Sequence, residues 1–309
     1  MIDFEGQTVI VTGAGRGLGR LYALDLAHRG ASVVVNDVGG SMAGTGADAQ
    51  VADAVVEEIG ASGGTAVASY DSVDSPEGGA AIVATAVREF GRLDAVVNNA
   101  GIFHTAPFDE LTVDDWRRML QVHLDGAFNV SQPAYRHMKA NGYGRFVFIA
   151  SSAGLFGQPN SAHYAAAKAG TLGLANVIAI EGGPHGILAN CVLPFGYSRM
   201  VFETVGDRDE LEPDPGFLHA IEPEMVVPIV VYLASRANAL THHNVSACAG
   251  RFGRVFVGLG DGWVADAGVT PTADDVTAHL AQITSTEPAI IPASIFDEVT
   301  RVCAQLGIG

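Results

Sequence analysis

Residues 12–19 read Thr-Gly-Ala-Gly-Arg-Gly-Leu-Gly and join two segments of opposite character. Thr8–Thr12 is a short apolar, β-branched run, and the residues after Gly19 have the spacing of an amphipathic helix. A strand that turns through glycines straight into a helix opens a βαβ unit, and that unit commits the chain to a parallel sheet flanked by helices. The backbone N–H groups at such a helix start, together with the positive end of the helix dipole, form a cradle for the pyrophosphate of a dinucleotide. Glycine is needed because a side chain would block the close approach and because the turn visits backbone angles that other residues avoid. Gly13, Arg16, Gly17, Leu18 and Gly19 are therefore candidate cofactor-binding residues.

The rest of the chain repeats the rhythm. Apolar runs at 8–12, 31–37, 66–71, 95–99, 146–150, 188–193 and 255–258 alternate with longer helical patterns, which predicts seven strands. Their nearly continuous apolar character fits strands covered on both faces. Helix starts are marked by Ser75-Pro76-Glu77, a cap followed by proline at the first helical position, and by Thr112-Val113-Asp114-Asp115. Residues 39–46, small and rich in glycine, are expected to loop past the second strand, where they could border a cofactor. The prolines and charges of 195–223 predict an irregular excursion above the sheet, the usual place of a substrate loop. The expected organisation is an α/β, doubly wound domain over 1–262, with 263–309 as a helical extension of it.

Composition narrows the partners. A formal net charge of −17 with no cluster of Lys and Arg argues against nucleic acid. No apolar run approaches the ~18 residues a membrane span needs. Asp3 and Glu5 stand where a signal peptide would carry positive charge, so a cytoplasmic protein acting on a small molecule is expected. Cys191, Cys248 and Cys303 are too widely spaced to read as a disulfide framework or a zinc ribbon. His242 and His243 are adjacent and point apart on most backbones, so no metal is expected. Only two lysines occur, Lys139 and Lys168, which gives the position of the second some weight.

Asp37 closes the second apolar run, 18 residues after Gly19. A carboxylate there can accept both hydroxyls of the adenosine ribose and would repel a 2′-phosphate, which favours NAD, while Arg16 is a cation that could partner such a phosphate. Tyr164 and Lys168 are spaced i, i+4 in an alanine-rich segment, so both lie on one helix face. An ammonium there is expected to lower the phenol's pKa from ~10 toward the working pH, so that tyrosine can trade a proton with a substrate hydroxyl. Ser151 lies 13 residues before Tyr164 at the carboxyl end of a strand, the edge where open parallel sheets bind ligands. Its hydroxyl could steady a developing oxyanion, with Ser152 as the rival. At the same edge, Asn98-Asn99-Ala100-Gly101 offers a small-residue wall, and Asn99, Ala100 and Gly101 are candidates to pack against the cofactor.

Together these four motifs, in this order and spacing, resemble the short-chain dehydrogenase/reductase family. The resemblance implies a Rossmann fold with strand order 3-2-1-4-5-6-7, usually assembled as a homodimer or homotetramer. It implies Tyr164 as general acid/base, Lys168 as a further ligand of the nicotinamide ribose, and Ser151 as the group that orients the carbonyl. A closer likeness lies in Val35-Asn36-Asp37-Val38-Gly39-Gly40, Tyr70-Asp71-Ser72-Val73, Val122-His123-Leu124 and residues 196–200. These are similar to the dehydrogenase unit of the peroxisomal multifunctional enzymes type 2, a branch also called 17β-hydroxysteroid dehydrogenase type 4. That likeness implies oxidation of (3R)-hydroxyacyl-CoA to 3-ketoacyl-CoA, with hydroxysteroids as further substrates. It adds Asp71, Ser72, Pro194 and Gly196 to the cofactor-binding set, alongside Tyr164 and Lys168. Many family members carry asparagine where this chain has His123. Hydratase and sterol-carrier units are not seen, and the final residues are no peroxisomal address, so a free-standing enzyme is expected. A steroid dehydrogenase, a reductase running from NADPH, and a non-catalytic dinucleotide-binding protein are the alternatives.

Overall fold

Five buried residues, Thr-Val-Ile-Val-Thr, form β1 (Thr8–Thr12), the strand from which the sheet grows in both directions. In this computed structural model, which describes residues 1–197, 215–266 and 268–307, β1 pairs in parallel with β2 (Ser32–Asn36) and β4 (Ala95–Asn98). Outside β2 lies β3 (Thr65–Ser69); beyond β4 come β5 (Gly144–Ile149), β6 (Ile187–Phe195), β7 (His243–Cys248) and β8 (Arg251–Val255). The order is 3-2-1-4-5-6-7-8. After moving outward through β2 and β3 the chain returns on the other side of β1, and this reversal opens a crevice above the carboxyl ends of β1 and β4.

In chain order the main helices of this unit are α1 (Gly17–His28), α2 (Gln50–Ala61), α3 (Pro76–Phe90), α4 (Val113–Leu120), α5 (Gly126–Asn141), α6 (Ala153–Phe156), α7 (Ala162–Gly182) and α8 (Val227–Ala234), with a short helix at Pro215–Ala220 before α8. Helices α1, α2 and α8 share one apolar layer, built from Tyr22, Leu26, Val55, Ile59 and Val230 against Val9, Val33 and Val97. On the other face α3 packs on α5 and α5 on α7. The expected starts hold: Ser75 Oγ accepts from Gly78 N at 3.1 Å, and Thr112 Oγ1 accepts from Asp115 N at 3.1 Å. Between α4 and α5 the chain makes a single π-helical turn, Gln121–Asp125, which carries His123.

One strand differs from expectation. The apolar run at 255–258 is not the seventh strand: Phe256 and Val257 are 57% and 67% exposed, and the strand that pairs with β6 is His243–Cys248. This strand alternates, with Val245 and Ala247 buried and their neighbours half-exposed. It joins β8 through Ala249 and Gly250, both at positive φ, the requirement of a two-residue hairpin. A strand near a sheet edge needs apolar residues at every second position only, so its pattern is weaker than that of the central strands. Most of the excursion at 195–223, residues 198–214, lies outside the described residues.

The chain divides into Met1–Arg254 and Val255–Gly309. The second unit pairs β9 (Leu259–Gly260) with β10 (Ala289–Ile290) and ends in α9 (Ile295–Leu306), so it is not purely helical. Capping boxes at Thr272 and Ser294, a Trp263–His279 ring stack at 4.1 Å and an Arg301–Asp261 ion pair hold it, and its helices bury no side chain fully. Among the described residues no helix is long and apolar enough to cross a membrane.

Candidate active site

The glycine turn is closed by contact with the strand beside it. Thr12 Oγ1 accepts from the N–H groups of Asn99 and Ala100, both at 3.0 Å, and Asn99 Nδ2 donates to the carbonyls of Thr12 and Gly13 at 2.9 and 3.0 Å. A Cβ on Gly19 would sit 2.1 Å from Gly13 O, and one on Gly13 2.8 Å from Ala100 Cα, so neither position admits a side chain. Gly17 is different. At φ +53 its missing Cβ would meet nothing within 4 Å, and the residue lines the crevice. Arg16 stands at the N-cap of α1 without a side-chain hydrogen bond to the helix amides, and no acidic residue stands in the first turn. The first amides of α1 are thus left without a side-chain partner at the rim of a cavity of about 530 Å³, which fits an anionic pyrophosphate.

Every candidate cofactor residue lines that one cavity: the glycine turn, Asp37, Asp71 and Ser72 on one side, Asn99, Ala100 and Gly101 below, Pro194 and Gly196 beyond. Asp37 is held by two backbone donors, Gly15 N at 2.9 Å and Gly39 N at 2.7 Å, so its carboxylate is fixed at the rim. Asn36 donates to Asp71 O at 2.9 Å and ties the end of β3 to β2.

Ser151, Tyr164 and Lys168 line the other end of the same cavity; Ser152 does not. The end of β5 and the first turns of α7 bring them together, and Lys168 Nζ donates to Ile149 O at 2.6 Å. Nζ stands 5.6 Å from the centroid of the Tyr164 ring, and Phe103 and His123 meet that ring edge-on at 5.4 and 5.2 Å. The electrostatics depart from expectation. Burial is the largest influence on both groups: it pushes the Tyr164 phenol up to about 12, against a lowering by Ser151, and brings the Lys168 ammonium down to about 8. An ammonium that is itself desolvated does not outweigh the desolvation of the phenol it faces. At neutral pH the site holds a protonated phenol beside a cation.

A model of the family described as short chain dehydrogenase matches residues 7–205, a stretch that includes the glycine turn and the Tyr164–Lys168 pair. The chain belongs to this family. A short-chain type dehydrogenase/reductase of Mycobacterium tuberculosis is 42% identical over 94% of this chain and 98% of its own length. The mouse peroxisomal multifunctional enzyme type 2 is 47% identical over 75% of this chain but only 30% of its own length. A hydroxyacyl-CoA dehydrogenase of M. tuberculosis is 37% identical over 77% of this chain and 75% of its own. The structure of the full-length multifunctional enzyme type 2 of Drosophila melanogaster superposes with a TM-score of 0.82 at 30% identity, covering 99% of this chain and 50% of that one. This chain therefore spans only part of the multifunctional relatives. It is a short-chain dehydrogenase, an oxidoreductase of a family that uses nicotinamide dinucleotides.

In this short-chain dehydrogenase the cavity also takes in His123, which the sequence marks without a role, residues of the 39–46 segment, and Arg118, which the sequence does not single out. His123 is buried, with Nε2 2.7 Å from Ile102 O and Nδ1 without a partner. Burial, and next the Lys168 charge, hold its pKa well below the usual imidazole range, so the ring is neutral. Met42, Gly44 and Arg118 also line the cavity, brought there by long-range contacts that no local pattern announces. Among the described residues no group of His, Cys, Asp and Glu could hold a metal ion.

Proposed function

We propose that this enzyme oxidises a (3R)-3-hydroxyacyl-CoA to the 3-ketoacyl-CoA with NAD. The observation that carries the reading is a single cavity with the Ser151, Tyr164 and Lys168 triad at one end and a pinned carboxylate, Asp37, at the other. Bound NAD supplies the acceptor for the hydride leaving C3 and a positive charge beside the phenol. Tyr164, in its phenolate form, takes the hydroxyl proton. Ser151 donates to the substrate oxygen, and the Lys168 ammonium stabilises the phenolate and donates to the nicotinamide ribose. The apolar rings of Phe103 and Phe195 suit an acyl chain near the reacting carbon, and the relatives' names support the thioester. A homodimer or homotetramer, the usual assembly of the family, would find suitable surface in exposed Phe128, Val177 and Ile180.

The test is a stereospecific panel followed by NADH absorbance: 3R- and 3S-hydroxyacyl-CoA and a 17β-hydroxysteroid, each with NAD and NADP. Turnover of the 3R thioester with NAD is expected, with the 3S isomer slower by about a hundredfold or more. Steroid turnover without thioester turnover would move the enzyme to the hydroxysteroid dehydrogenases.

The cofactor choice has its own prediction. Asp37 accepts two backbone hydrogen bonds, so it cannot swing aside to admit a 2′-phosphate. Asp37→Ala is expected to raise the KM for NAD about tenfold and cut the NAD-over-NADP preference in kcat/KM by about a hundredfold, since each charged contact contributes ~1.5–3 kcal/mol. An unchanged preference would remove Asp37 from cofactor selection.

A further inference from the structure

Residues 39–46 are more than a connection. The lobe is bonded within itself, Ser41 N to Thr45 O at 2.8 Å and Gly44 N to Ser41 O at 3.0 Å, and it stands between Gly39 and Gly46, both at positive φ. Its base is closed by Asp48 N donating to Val38 O at 3.0 Å. Besides the Gly39 N–H donated to Asp37, three outward hydrogen bonds among the described residues are accepted by its backbone carbonyls. Arg16 Nη1 donates to Gly40 O at 3.1 Å, Phe103 N to Met42 O at 2.9 Å, and Arg118 Nη2 to Gly44 O at 3.0 Å. The lobe thus reaches from the glycine turn on one wall of the cavity to α4 and the loop after β4 on the other, and Gly40, Ser41, Met42 and Gly44 line the cavity between. No side chain of the lobe is fully buried, so its hold on the far wall is polar and rests on few bonds.

Among the described residues Arg118 is the only side chain of the far wall that hydrogen-bonds the lobe. Its other arm donates to Asp74 Oδ2 at 2.8 Å, and this ion pair aims the guanidinium at the lobe. One planar fork therefore joins α4, the loop after β3 and the loop after β2, three segments that border the cofactor groove.

We propose that Arg118 is a cofactor-positioning residue that latches residues 39–46 as a strap over the adenosine half of the groove, and that this latch sets how fast the dinucleotide leaves. The inference rests on the reading that the groove takes NAD. With the latch closed, the strap encloses the bound adenosine between itself and the glycine turn; opening it breaks a few hydrogen bonds and no apolar core. The Phe103 amide that holds Met42 belongs to the residue whose ring meets Tyr164, so strap and catalytic end share a wall.

The test measures NADH release by stopped-flow displacement, and hydrogen exchange of residues 39–46 with and without NADH, in the wild type, Arg118→Met, Arg118→Lys and Asp74→Asn. Loss of a charge-assisted hydrogen bond predicts release about tenfold faster in Arg118→Met. Association should change less than about threefold, and the KM for NAD should rise while that for the thioester holds. NADH should protect the strap amides in the wild type and not in Arg118→Met. Arg118→Lys and Asp74→Asn should fall between. If Arg118→Met does not fold, Asp74→Asn carries the same comparison. Release and protection unchanged from wild type in the folded variants would overturn the latch and leave the cofactor reading standing. A wild type that binds neither NADH nor NADPH would overturn both, before any variant is made.

Discussion

Replacing Tyr164 with phenylalanine is expected to lower kcat/KM for alcohol oxidation by about 10³–10⁴ while leaving NADH affinity within about threefold and the melting temperature no lower. The loss follows from removing the group that exchanges the proton, for which general acid–base catalysis sets a scale of ~10²–10⁴. Retention of the fold follows from the packing. The ring lies edge-on against both Phe103 and His123, contacts that phenylalanine keeps. The hydroxyl it gives up is a buried polar group whose ionised form is disfavoured strongly enough to push its pKa to about 12. The same value gives a pH signature. Below about 12 the unliganded enzyme carries the protonated phenol, which is the reactive form for reducing a ketone; oxidation needs the phenolate. The oxidation rate should therefore climb with rising pH while the reduction rate holds until the pH approaches about 12, in steady-state profiles run in both directions on the wild type. A Tyr164→Phe enzyme that kept a tenth of the activity, or a flat oxidation profile, would remove Tyr164 from the proton transfer.

The parts of the site that could be read from the sequence are those whose constraints are local. Gly19 cannot carry a Cβ against the Gly13 carbonyl in the same turn, and Tyr164 and Lys168 share a helix face by spacing alone. The strands β1, β2, β4, β5 and β6 were legible for a related reason: strands buried on both faces must be apolar throughout. What escaped depends on distance along the chain or on competition between terms. His243–Cys248 is half-covered and interleaves Asn244 and Ser246 with its two buried residues, whereas 255–258 is apolar and exposed. Arg118 reaches Asp74 and Gly44, 44 and 74 residues away, and nothing at position 118 signals either contact. The direction of the Tyr164 shift turned on whether charge or desolvation is larger, and spacing says nothing about burial. The outward bonds of residues 39–46 likewise could not follow from their being small and glycine-rich.

Lys168→Met is expected to abolish most activity and yet leave the unliganded protein at least as stable at pH 7. The activity loss, about 10²–10³ in kcat/KM, follows from removing the cation that stabilises the phenolate. Stability is governed by the cost of holding an ammonium in a buried place. Its pKa falls from the 10.5 of free lysine to about 8, and a shift of that size corresponds to roughly 3 kcal/mol of penalty on the charged form. Against this, methionine would leave Ile149 O without its donor, at about 1–3 kcal/mol. The difference lies between zero and about 2 kcal/mol in favour of the variant. The sign of the pH dependence separates this account from simple repacking. Below pH 8 lysine is charged in both states and the folded state bears the whole penalty. Between 8 and 10.5 the folded protein has released the proton while the unfolded chain still holds it, so wild-type stability rises with pH; above 10.5 both are neutral and the penalty is gone. Denaturant unfolding at pH 7 and pH 10 should therefore show the wild type gaining on Lys168→Met. A variant less stable by several kcal/mol at pH 7, by a margin that does not move with pH, would mean that the lysine is there for the fold. The opposite outcome would mean that the fold tolerates a strained cation because the proton transfer at Tyr164 requires one.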